Sequence, residues 1–309
     1  MYIEILGSAA GGGFPQWNCN CVNCRSLRAG TFAGKPRTQT QFAISDDGEH
    51  WLLLNASPDL RLQIETTPAL HPRRVQRTSP ICTVLLTGAD LDQTAGLLSL
   101  RELQPFRIYC TSSLRRVLRE QNNVFGMLNR IPRQVDWKTI KPAQSFAVAD
   151  NSGENLGLCC EVFSLRNRYP VYVSEEQRAG LVPEEASLGL IVQSSSGKRV
   201  TCLPAVSTID EALRGRMESS DVLFFDGTFW SDDELIRVLG SGATARDMGH
   251  VPVSGPDGSL ESLAGVKRPR KIYIHVNNTN PMLNEAGPEY AEVRAQGWEI
   301  AEDGWRLEL

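Results

Sequence analysis

The segment Ile81-Cys82-Thr83-Val84-Leu85-Leu86-Thr87-Gly88-Ala89-Asp90-Leu91-Asp92-Gln93 indicates the fold class. Residues 81–86 form a continuous apolar run, which is typical of a β-strand buried on both faces. The run ends at Thr87-Gly88-Ala89-Asp90, and a helical pattern follows from Asp92 to Leu100. A buried strand that leads through a short turn into a helix predicts an α/β protein with polar side chains at the strand end.

Strands outnumber helices on both sides of this segment. The candidate helices are Ser113–Glu120, Thr208–Met217, Asp232–Leu239 and Pro288–Ala295. The candidate strands are Tyr2–Leu6, Phe42–Ile44, Trp51–Asn55, Ile108–Cys110, Leu188–Val192, Val200–Leu203, Val222–Phe225, Lys271–His275, Trp298–Ala301 and Trp305–Leu309. Glycine-containing turns predict hairpins at Ser45–Gly48 and Asp303-Gly304. We therefore predict an α/β (α+β) fold of two mixed β-sheets with outer helices, in a single domain over residues 1–309.

The charge balance narrows the function classes. The 309 residues include 32 Lys and Arg against 36 Asp and Glu, a formal net charge of −4. This mild acidity argues against broad nucleic-acid binding, which needs a dense basic face. No apolar run approaches the roughly 20 residues of a membrane span, and the first residues lack the pattern of a secretory signal. We expect a soluble, cytoplasmic protein with no nucleic-acid partner and no membrane span; the sequence is compatible with a homo-oligomer.

The eight cysteines are unevenly distributed. Cys19, Cys21 and Cys24 crowd into the loop 17–25, and in a cytosolic protein such a group more often holds metal than disulfides. Their spacing lets three thiolates converge on one tetrahedral ion, and zinc suits such soft ligands, with a fourth ligand supplied from elsewhere. Reduced thiols without metal are the alternative. The other cysteines are expected to be small buried hydrophobes: Cys82, Cys110, Cys159, Cys160 and Cys202.

Metal-capable side chains also stand at the ends of predicted strands. Asp90 and Asp92 follow one apolar strand, Asp226 ends a second and His275 ends a third. A carboxylate at such a place can equally cap a helix, and a single histidine is often a hydrogen-bonded core residue. As a set they favour a metal site. For His250, in a Gly-flanked loop, an exposed polar role and a ligand contact are both open.

Several longer motifs resemble the coenzyme pyrroloquinoline quinone (PQQ) synthesis protein B family. They occur in family order from one end of the chain to the other, and they are long and specific. The matching blocks are Gly7–Cys19, Leu53–Arg61, Gly96–Glu102, Met248–His250 and His275–Pro281.

This resemblance implies a metallo-β-lactamase-like fold, an αββα sandwich with its site at one edge. It also implies a role in making the redox cofactor PQQ from a peptide precursor whose Glu and Tyr are cross-linked. One form of that role is metal-dependent oxidation, or hydroxylation, of the tyrosine-derived ring, with iron in place of the paired zinc of hydrolytic relatives. The other is that of a non-catalytic carrier that transports PQQ or its precursor toward the periplasm.

The superfamily's H-x-H-x-D-H ligand motif falls on residues 88–93. Gly88 and Asp90 replace its first two histidines, Asp92 keeps its aspartate, and Gln93 replaces its last histidine. An amide oxygen is a much poorer ligand for iron or zinc than imidazole, whereas two carboxylates still favour a hard divalent cation. Hydrolysis by a pair of metal ions is therefore not expected.

Two further positions match superfamily metal sites. Asp226 matches the metal-bridging aspartate and His275 the final active-site histidine, so the implied active-site metal is bound by Asp90, Asp92 and His275. In relatives with the same cysteine insertion, the fourth zinc ligand is a histidine at the position of Asn278; here either Asn278 or His275 is the candidate. The implied catalytic residues are Asp90, Asp92, Gln93, Asp226 and His275.

Two hypotheses follow for function. An enzyme would use Fe(II) at the active site, whereas a carrier would use the same cleft to hold an acidic quinone or a short-peptide-derived precursor. Gln93 favours the carrier, whereas the retained Asp92, Asp226 and His275 favour the enzyme. Arginine side chains pair bidentately with carboxylates. The candidate substrate contacts are Asn55, Arg61, Arg101 and His250, with Arg37 as a further anion contact in the carrier.

Overall fold

A computed structural model describes residues 1–73, 75–165 and 168–309. The strands are β1 Tyr2–Gly7, β2 Gln41–Ser45, β3 Trp51–Leu54, β4 Ile81–Leu85, β5 Phe106–Cys110, β6 Val135–Thr139, β7 Gln144–Ala149, β8 Asn155–Ser164, β9 Leu188–Ser194, β10 Arg199–Leu203, β11 Val222–Asp226, β12 Arg270–Ile274, β13 Trp298–Ile300 and β14 Trp305–Glu308.

The helices are short. They are α1 Val22–Arg28, α2 Leu60–Glu65, α3 Leu91–Thr94, α4 Ser112–Arg119, α5 Glu175–Arg178, α6 Glu211–Glu218, α7 Glu234–Leu239, α8 Ser259–Ser262 and α9 Pro288–Ala295. Short 3-10 helices occupy Pro68–Leu70, Ala95–Leu100, Val124–Asn129, Pro183–Glu185 and Pro281–Leu283. None of the helices in the described ranges is long and apolar enough to cross a membrane.

The chain divides into two compact units. The first comprises Met1–Leu6, Gln41–Lys198 and Gly304–Leu309, and the second comprises Gly7–Thr40 and Arg199–Asp303. In the first unit the strand order β14-β1-β2-β3-β4-β5-β6 combines antiparallel pairs with the parallel set β3 to β6. This unit also holds the antiparallel strands β7, β8 and β9. In the second unit β10, β11, β12 and β13 are parallel neighbours.

The strands belong to two mixed sheets of seven strands each, which confirms the predicted fold class. The apolar sequences of β3 (Trp51–Leu54) and β11 (Val222–Asp226) are buried along their whole length, as expected for strands covered on both faces. Antiparallel pairing of Phe42 with Leu54 confirms the hairpin around Ser45–Gly48.

The hairpin predicted around Asp303-Gly304 is wrong. β13 pairs in parallel with β12, because α9 forms a crossover that returns the chain alongside β12. β14 instead pairs antiparallel with β1 in the other sheet. The helical pattern from Asp92 to Leu100 also divides, into the short helix α3 and a 3-10 stretch.

Candidate metal centres

The parallel pairing of β11 and β12 brings a carboxylate and an imidazole to one sheet edge. Asp226 is the last residue of β11, and His275 follows β12 directly. His250 comes from the loop before α8. Metal-ligating atoms of Asp226, His250 and His275 all lie within 4.8 Å of one another. Asp226 is fully buried, His250 nearly so and His275 half-buried.

The carboxylate of Asp226 accepts four hydrogen bonds within the protein. Its Oδ2 accepts from the Val206 N–H at 2.8 Å and from Nδ1 of His250 at 2.7 Å. Its Oδ1 accepts from the backbone N–H of Thr228 at 3.1 Å and from the Thr228 hydroxyl at 2.6 Å. Asp226 therefore fixes the orientation of the His250 ring, as a carboxylate behind a metal-bound histidine does.

The hydroxyl of Thr228 connects Asp226 to His275 and so fixes the orientation of the second imidazole ring. Since the Thr228 hydroxyl donates to Asp226, its oxygen accepts from Nδ1 of His275 at 2.8 Å. In both imidazoles Nδ1 thus faces this network, which leaves Nε2 on the opposite side of each ring. The two rings stack with centroids 5.6 Å apart at an interplanar angle of 20°. The pair is therefore arranged with its Nε2 atoms turned away from Asp226.

The electrostatics of the cluster favour an ionised carboxylate. Burial alone would raise the pKa of Asp226, but the charge and hydrogen bond of His250, then the charge of His275 and the hydroxyl of Thr228, hold that pKa below its usual value. His275 also has a left-handed backbone, with φ of 60°. Such a conformation is uncommon for a residue with a β-carbon and persists where the surrounding structure enforces it.

Asp90, Asp92 and Gln93 lie in the first unit, where β4 leads into α3. Asp90 occupies the position before the helix. The sequence left open whether a carboxylate here caps the helix, and the Asp90 side chain makes no capping hydrogen bond. Asp92 is half-buried. Within the described ranges, the buried Oε1 of Gln93 has no hydrogen-bond donor. A buried acceptor of this kind suits a cation or a ligand donor, because an unsatisfied polar atom is costly.

The candidate substrate contacts differ in their surroundings. The Asn55 amide is buried and makes hydrogen bonds in both directions with Thr87, at 2.8 and 2.9 Å. Arg61 is exposed on α2. Arg101 is exposed beside Glu102, with 3.5 Å between charged atoms. The structure places His250 in the Asp226 cluster, and Arg37, which is buried, donates to the Ser8 hydroxyl and the Ala301 carbonyl.

The cysteine loop forms a second cluster. The sulfur atoms of Cys19, Cys21 and Cys24 lie within 4.8 Å of one another, and Cys24 is fully buried. Cys21 precedes α1, and its sulfur accepts from the Cys24 N–H at 3.5 Å. Burial raises the pKa of Cys21 to about 12, and the neighbouring thiols Cys19 and Cys24 add to it. For Cys19, the hydrogen bonds from Cys21, Cys24 and Asn278 outweigh burial and lower the pKa.

His275 belongs to the Asp226 cluster, whereas the side chain of Asn278 lies against the three sulfur atoms. The sequence left the fourth position of the cysteine cluster open between these two residues. Sequence reasoning missed Thr228 entirely, although it stands two residues after Asp226. A hydroxyl so close to a buried strand-end carboxylate was the available signal.

Comparison with known proteins identifies the family. The model of a β-lactamase superfamily domain matches residues 50–276. The chain is 43% identical, over 310 residues and the full length of both chains, to coenzyme PQQ synthesis protein B of Pseudomonas putida KT2440. It is 43% identical over 309 residues, again at full length, to the protein of the same name from Methylobacterium sp. 4-46.

Solved structures agree with this result. The 1.98-Å crystal structure of Zn²⁺-bound PqqB from Methylobacterium extorquens matches with a TM-score of 0.91 and 41% identity, covering 100% of both chains. A diphosphatase from the PhnP family matches with a TM-score of 0.67 at 18% identity over 100% of this chain and 97% of its own, which shows a shared fold alone. The chain has the metallo-β-lactamase fold and belongs to the coenzyme PQQ synthesis protein B family.

Proposed function

We propose that this chain acts in PQQ biosynthesis, by metal-dependent oxidation or hydroxylation of the tyrosine-derived ring of a small or short-peptide-derived precursor, in the cytoplasm. The observation that carries the proposal is the convergence of Asp226, His250 and His275. Imidazole nitrogens are suitable ligands for Fe(II), and the buried carboxylate of Asp226 orients both rings from behind. The name shared by the curated relatives supports the pathway.

The residues of the cluster fit a divalent metal through their imidazoles. With Nδ1 of His250 and His275 facing Asp226 and Thr228, Nε2 is the nitrogen of each ring that would bind the ion. Asp226, which already accepts four hydrogen bonds, would hold the rings in that tautomer. A bound iron would supply electron transfer with O₂, which no side chain here can supply. Asp90 and Asp92, with Gln93, remain sequence-based predictions for the active site.

The three thiols fit zinc in a structural role. Soft thiolates suit zinc rather than a hard cation such as magnesium, and a closed tetrahedral site stabilises the fold rather than carrying out chemistry. The zinc-bound crystal structure from Methylobacterium extorquens supports zinc as the metal of this family. We propose one zinc at Cys19, Cys21 and Cys24.

A non-catalytic carrier of PQQ or its precursor is the second candidate. It is favoured by the amide of Gln93 where the superfamily motif ends in histidine, and by the four hydrogen bonds that already occupy Asp226. Under this proposal, Arg61 and Arg101 would pair with the carboxylates of the ligand, because guanidinium groups bind carboxylates bidentately.

Metal analysis of the purified protein separates these candidates. Zinc and iron are measured by elemental analysis before and after anaerobic Fe(II) loading and desalting, and oxygen uptake is then recorded with a tyrosine-containing precursor peptide. Zinc together with retained iron and precursor-dependent oxygen uptake supports the oxidase. Zinc alone, with no retained iron and no oxygen uptake, overturns it and leaves the carrier.

A further inference from the structure

Residues 168–187, which lead into β9, lie against the end of β4 in the first unit. The Leu188 N–H donates to the Thr87 carbonyl at 2.8 Å, and the Tyr172 hydroxyl donates to the Ala89 carbonyl. Both carbonyls belong to the turn that follows β4, the turn that also leads to Asp90 and Gln93. The segment is therefore attached at two points to the strand end where the sequence predicts a ligand site.

Hydrogen bonds within the segment fix its shape around Tyr172. The Tyr169 hydroxyl donates to the Val182 carbonyl at 2.7 Å, and Nη2 of Arg178 donates to the Pro170 carbonyl at 2.9 Å. The short helix α5 begins with a capping box. Tyr172 is therefore presented by a backbone that is already held in place, and a contact surface of this kind loses less conformational freedom when a ligand binds.

Apolar side chains are exposed at this point of contact. Val171 is 96% exposed and Tyr172 39% exposed, and Leu91 is 58% exposed. Single exposed apolar residues are ordinary on a protein surface. These three, however, all lie within two residues of the contact between Tyr172 and Ala89. An apolar surface beside a few polar groups is typical of a site for a small aromatic ligand.

The amide oxygen of Gln93 supplies a hydrogen-bond acceptor next to this surface. It fills the space beside Gly88, the residue that precedes Ala89. This oxygen is buried, and no donor among the residues that the structure describes reaches it. A hydroxyl group on a ligand would satisfy the oxygen, whereas a ligand without a donor would leave it unsatisfied at a cost in binding free energy.

The charge of Asp90 limits how a ligand can lie here. Burial, and then the charge of Asp90, raise the pKa of the Tyr172 hydroxyl to about 12, so this carboxylate is within electrostatic reach of Tyr172. A negative charge repels a ligand carboxylate and attracts a hydrogen-bond donor. A ligand that carries both a hydroxylated ring and carboxylates is therefore expected to turn its ring toward this strand end and its carboxylates away from it.

We propose that Tyr172 and Val171 are specificity-determining residues that contact the aromatic ring of the ligand, and that the amide oxygen of Gln93 accepts the hydrogen bond of the ring hydroxyl. For the identity of the ligand, a tyrosine-containing precursor, this inference rests on the function proposed above. It adds which side chains select the ring and which end of the ligand faces β4. It does not depend on the metal proposed for either cluster.

Binding of two matched peptides to the full-length protein tests the hydroxyl contact. One is the tyrosine-containing precursor peptide, and the other has phenylalanine in place of the tyrosine. Isothermal titration calorimetry under anaerobic conditions measures both affinities without turnover. We expect the phenylalanine peptide to bind at least about tenfold more weakly, because it leaves a buried acceptor unsatisfied. Gln93→Met removes that acceptor at similar side-chain length, so the two peptides should then bind about equally.

Substitutions at residues 171 and 172 test the ring contact. Because Val171 is almost fully exposed, Val171→Ser should leave the free energy of unfolding unchanged and still lower the affinity for both peptides at least about threefold. Val124→Ser, at an exposed valine of another loop, is the matched control and should change neither quantity. Tyr172→Ala should lower both affinities further, whereas Tyr172→Phe, which keeps the ring, should retain most of the affinity.

The possible outcomes have separate meanings. If the wild-type protein binds neither peptide, the proposed function fails, and the inference fails with it. Equal wild-type affinity for the two peptides would leave the precursor as the ligand but overturn recognition of its hydroxyl. If Gln93→Met still prefers the tyrosine peptide, another group accepts the hydroxyl. Wild-type affinity in both Val171→Ser and Tyr172→Ala would overturn the ring contact.

Discussion

The side-chain oxygen of Gln93 lies 2.1 Å from the point where a β-carbon on Gly88 would stand. Gln93 therefore fills the space that the missing side chain of Gly88 leaves. The superfamily motif has histidines at both positions, so the two departures are coupled in space. The oxygen in that space has no hydrogen-bond donor within the described ranges, and a buried acceptor of this kind is costly unless a donor or a cation satisfies it.

Replacing Gln93 with histidine should increase iron retention. Gln93→His restores the last imidazole of the superfamily motif, and imidazole is a better ligand for Fe(II) than an amide oxygen. We expect more iron after anaerobic loading and desalting, and faster oxygen uptake with precursor. Gln144→His, which adds an imidazole on the exposed edge of β7, is the control. Equal iron content in Gln93→His and wild type would count against a metal centre at this position.

Alanine at Gly88 should be tolerated better than alanine at Gly96. A β-carbon at residue 88 meets the end of the flexible Gln93 side chain, whereas at residue 96 it meets the Ser57 carbonyl at 2.1 Å. Since a backbone atom cannot move aside cheaply, Gly96→Ala should lose more than the roughly 1–3 kcal/mol typical of overpacking, and Gly88→Ala less. Urea unfolding gives both values. A larger loss at Gly88 would show that Gln93 is rigidly held.

Removing one thiol should release zinc. Cys21→Ser leaves a site with two thiolates, so we expect about one zinc per chain to be lost and the melting temperature to fall, because structural zinc contributes folding energy. Zinc content and thermal unfolding are measured together. Cys159→Ser, at an exposed cysteine, is the control and should change neither. Unchanged zinc in Cys21→Ser would contradict the proposed thiol site.

Valine at residue 228 should disrupt the imidazole pair without changing side-chain volume. Thr228→Val removes the hydroxyl that lies between Asp226 and His275, so Oδ1 of Asp226 loses one of its two hydrogen bonds and Nδ1 of His275 loses its 2.8 Å contact. We expect a loss of about 1–3 kcal/mol in unfolding free energy together with lower iron retention. Thr201→Val removes one buried hydroxyl contact, to Ser220, outside the cluster. Loss of stability in both variants, but of iron in neither, would contradict the role of Thr228.

Stability should depend on pH through Glu234. Burial raises the pKa of Glu234 to about 7, against the hydrogen bonds from Thr279 and Trp230. The folded protein therefore keeps a proton that the unfolded chain releases near pH 4.5. This contribution is fully present below that pH and is lost as the pH rises through about 7, on the order of 3 kcal/mol at most.

Glu234→Gln should remove this pH dependence. Urea unfolding of wild type and variant between pH 4.5 and pH 8 measures the difference in stability. We expect the variant to gain on the wild type as the pH rises, because its amide cannot ionise. Glu292→Gln, on the exposed face of α9, should track the wild type throughout. If the difference in unfolding free energy between Glu234→Gln and wild type does not change with pH, the pH dependence comes from another group.

The sequence predicted the continuously apolar, buried strands better than the strands of mixed burial. Continuous apolar runs marked β4 and β11 because both faces of those strands are covered. Strands β6, β7 and β8 were missed because their residues are mixed in burial and polarity, as at Val135–Thr139. The strands near Asp303-Gly304 were found, but their partners were not, because parallel pairing depends on a helix crossover rather than on the turn between them.

For the candidate site, the sequence could single out metal-capable residues, but it could not show which of them lie together in the fold. Strand-end position identified Asp226 and His275, and close spacing identified the cysteines. His250 reaches the cluster from a loop, so no local pattern connects it to Asp226, 24 residues away. Thr228 carries no charge, and its place two residues after Asp226 was the one cue that the sequence offered. Its importance arises only from the hydroxyl geometry that folding creates.

His275 and Asn278 contact different clusters although they are three residues apart, so the number of residues between them is constrained. Residues 275–280 serve two clusters at once, with the imidazole at one end and the amide three positions later. A one-residue insertion or deletion between them would move one side chain out of its cluster whichever end stayed in place. This stretch should therefore tolerate changes of side chain more readily than changes of length, and loop grafting at this edge of the protein should preserve its length.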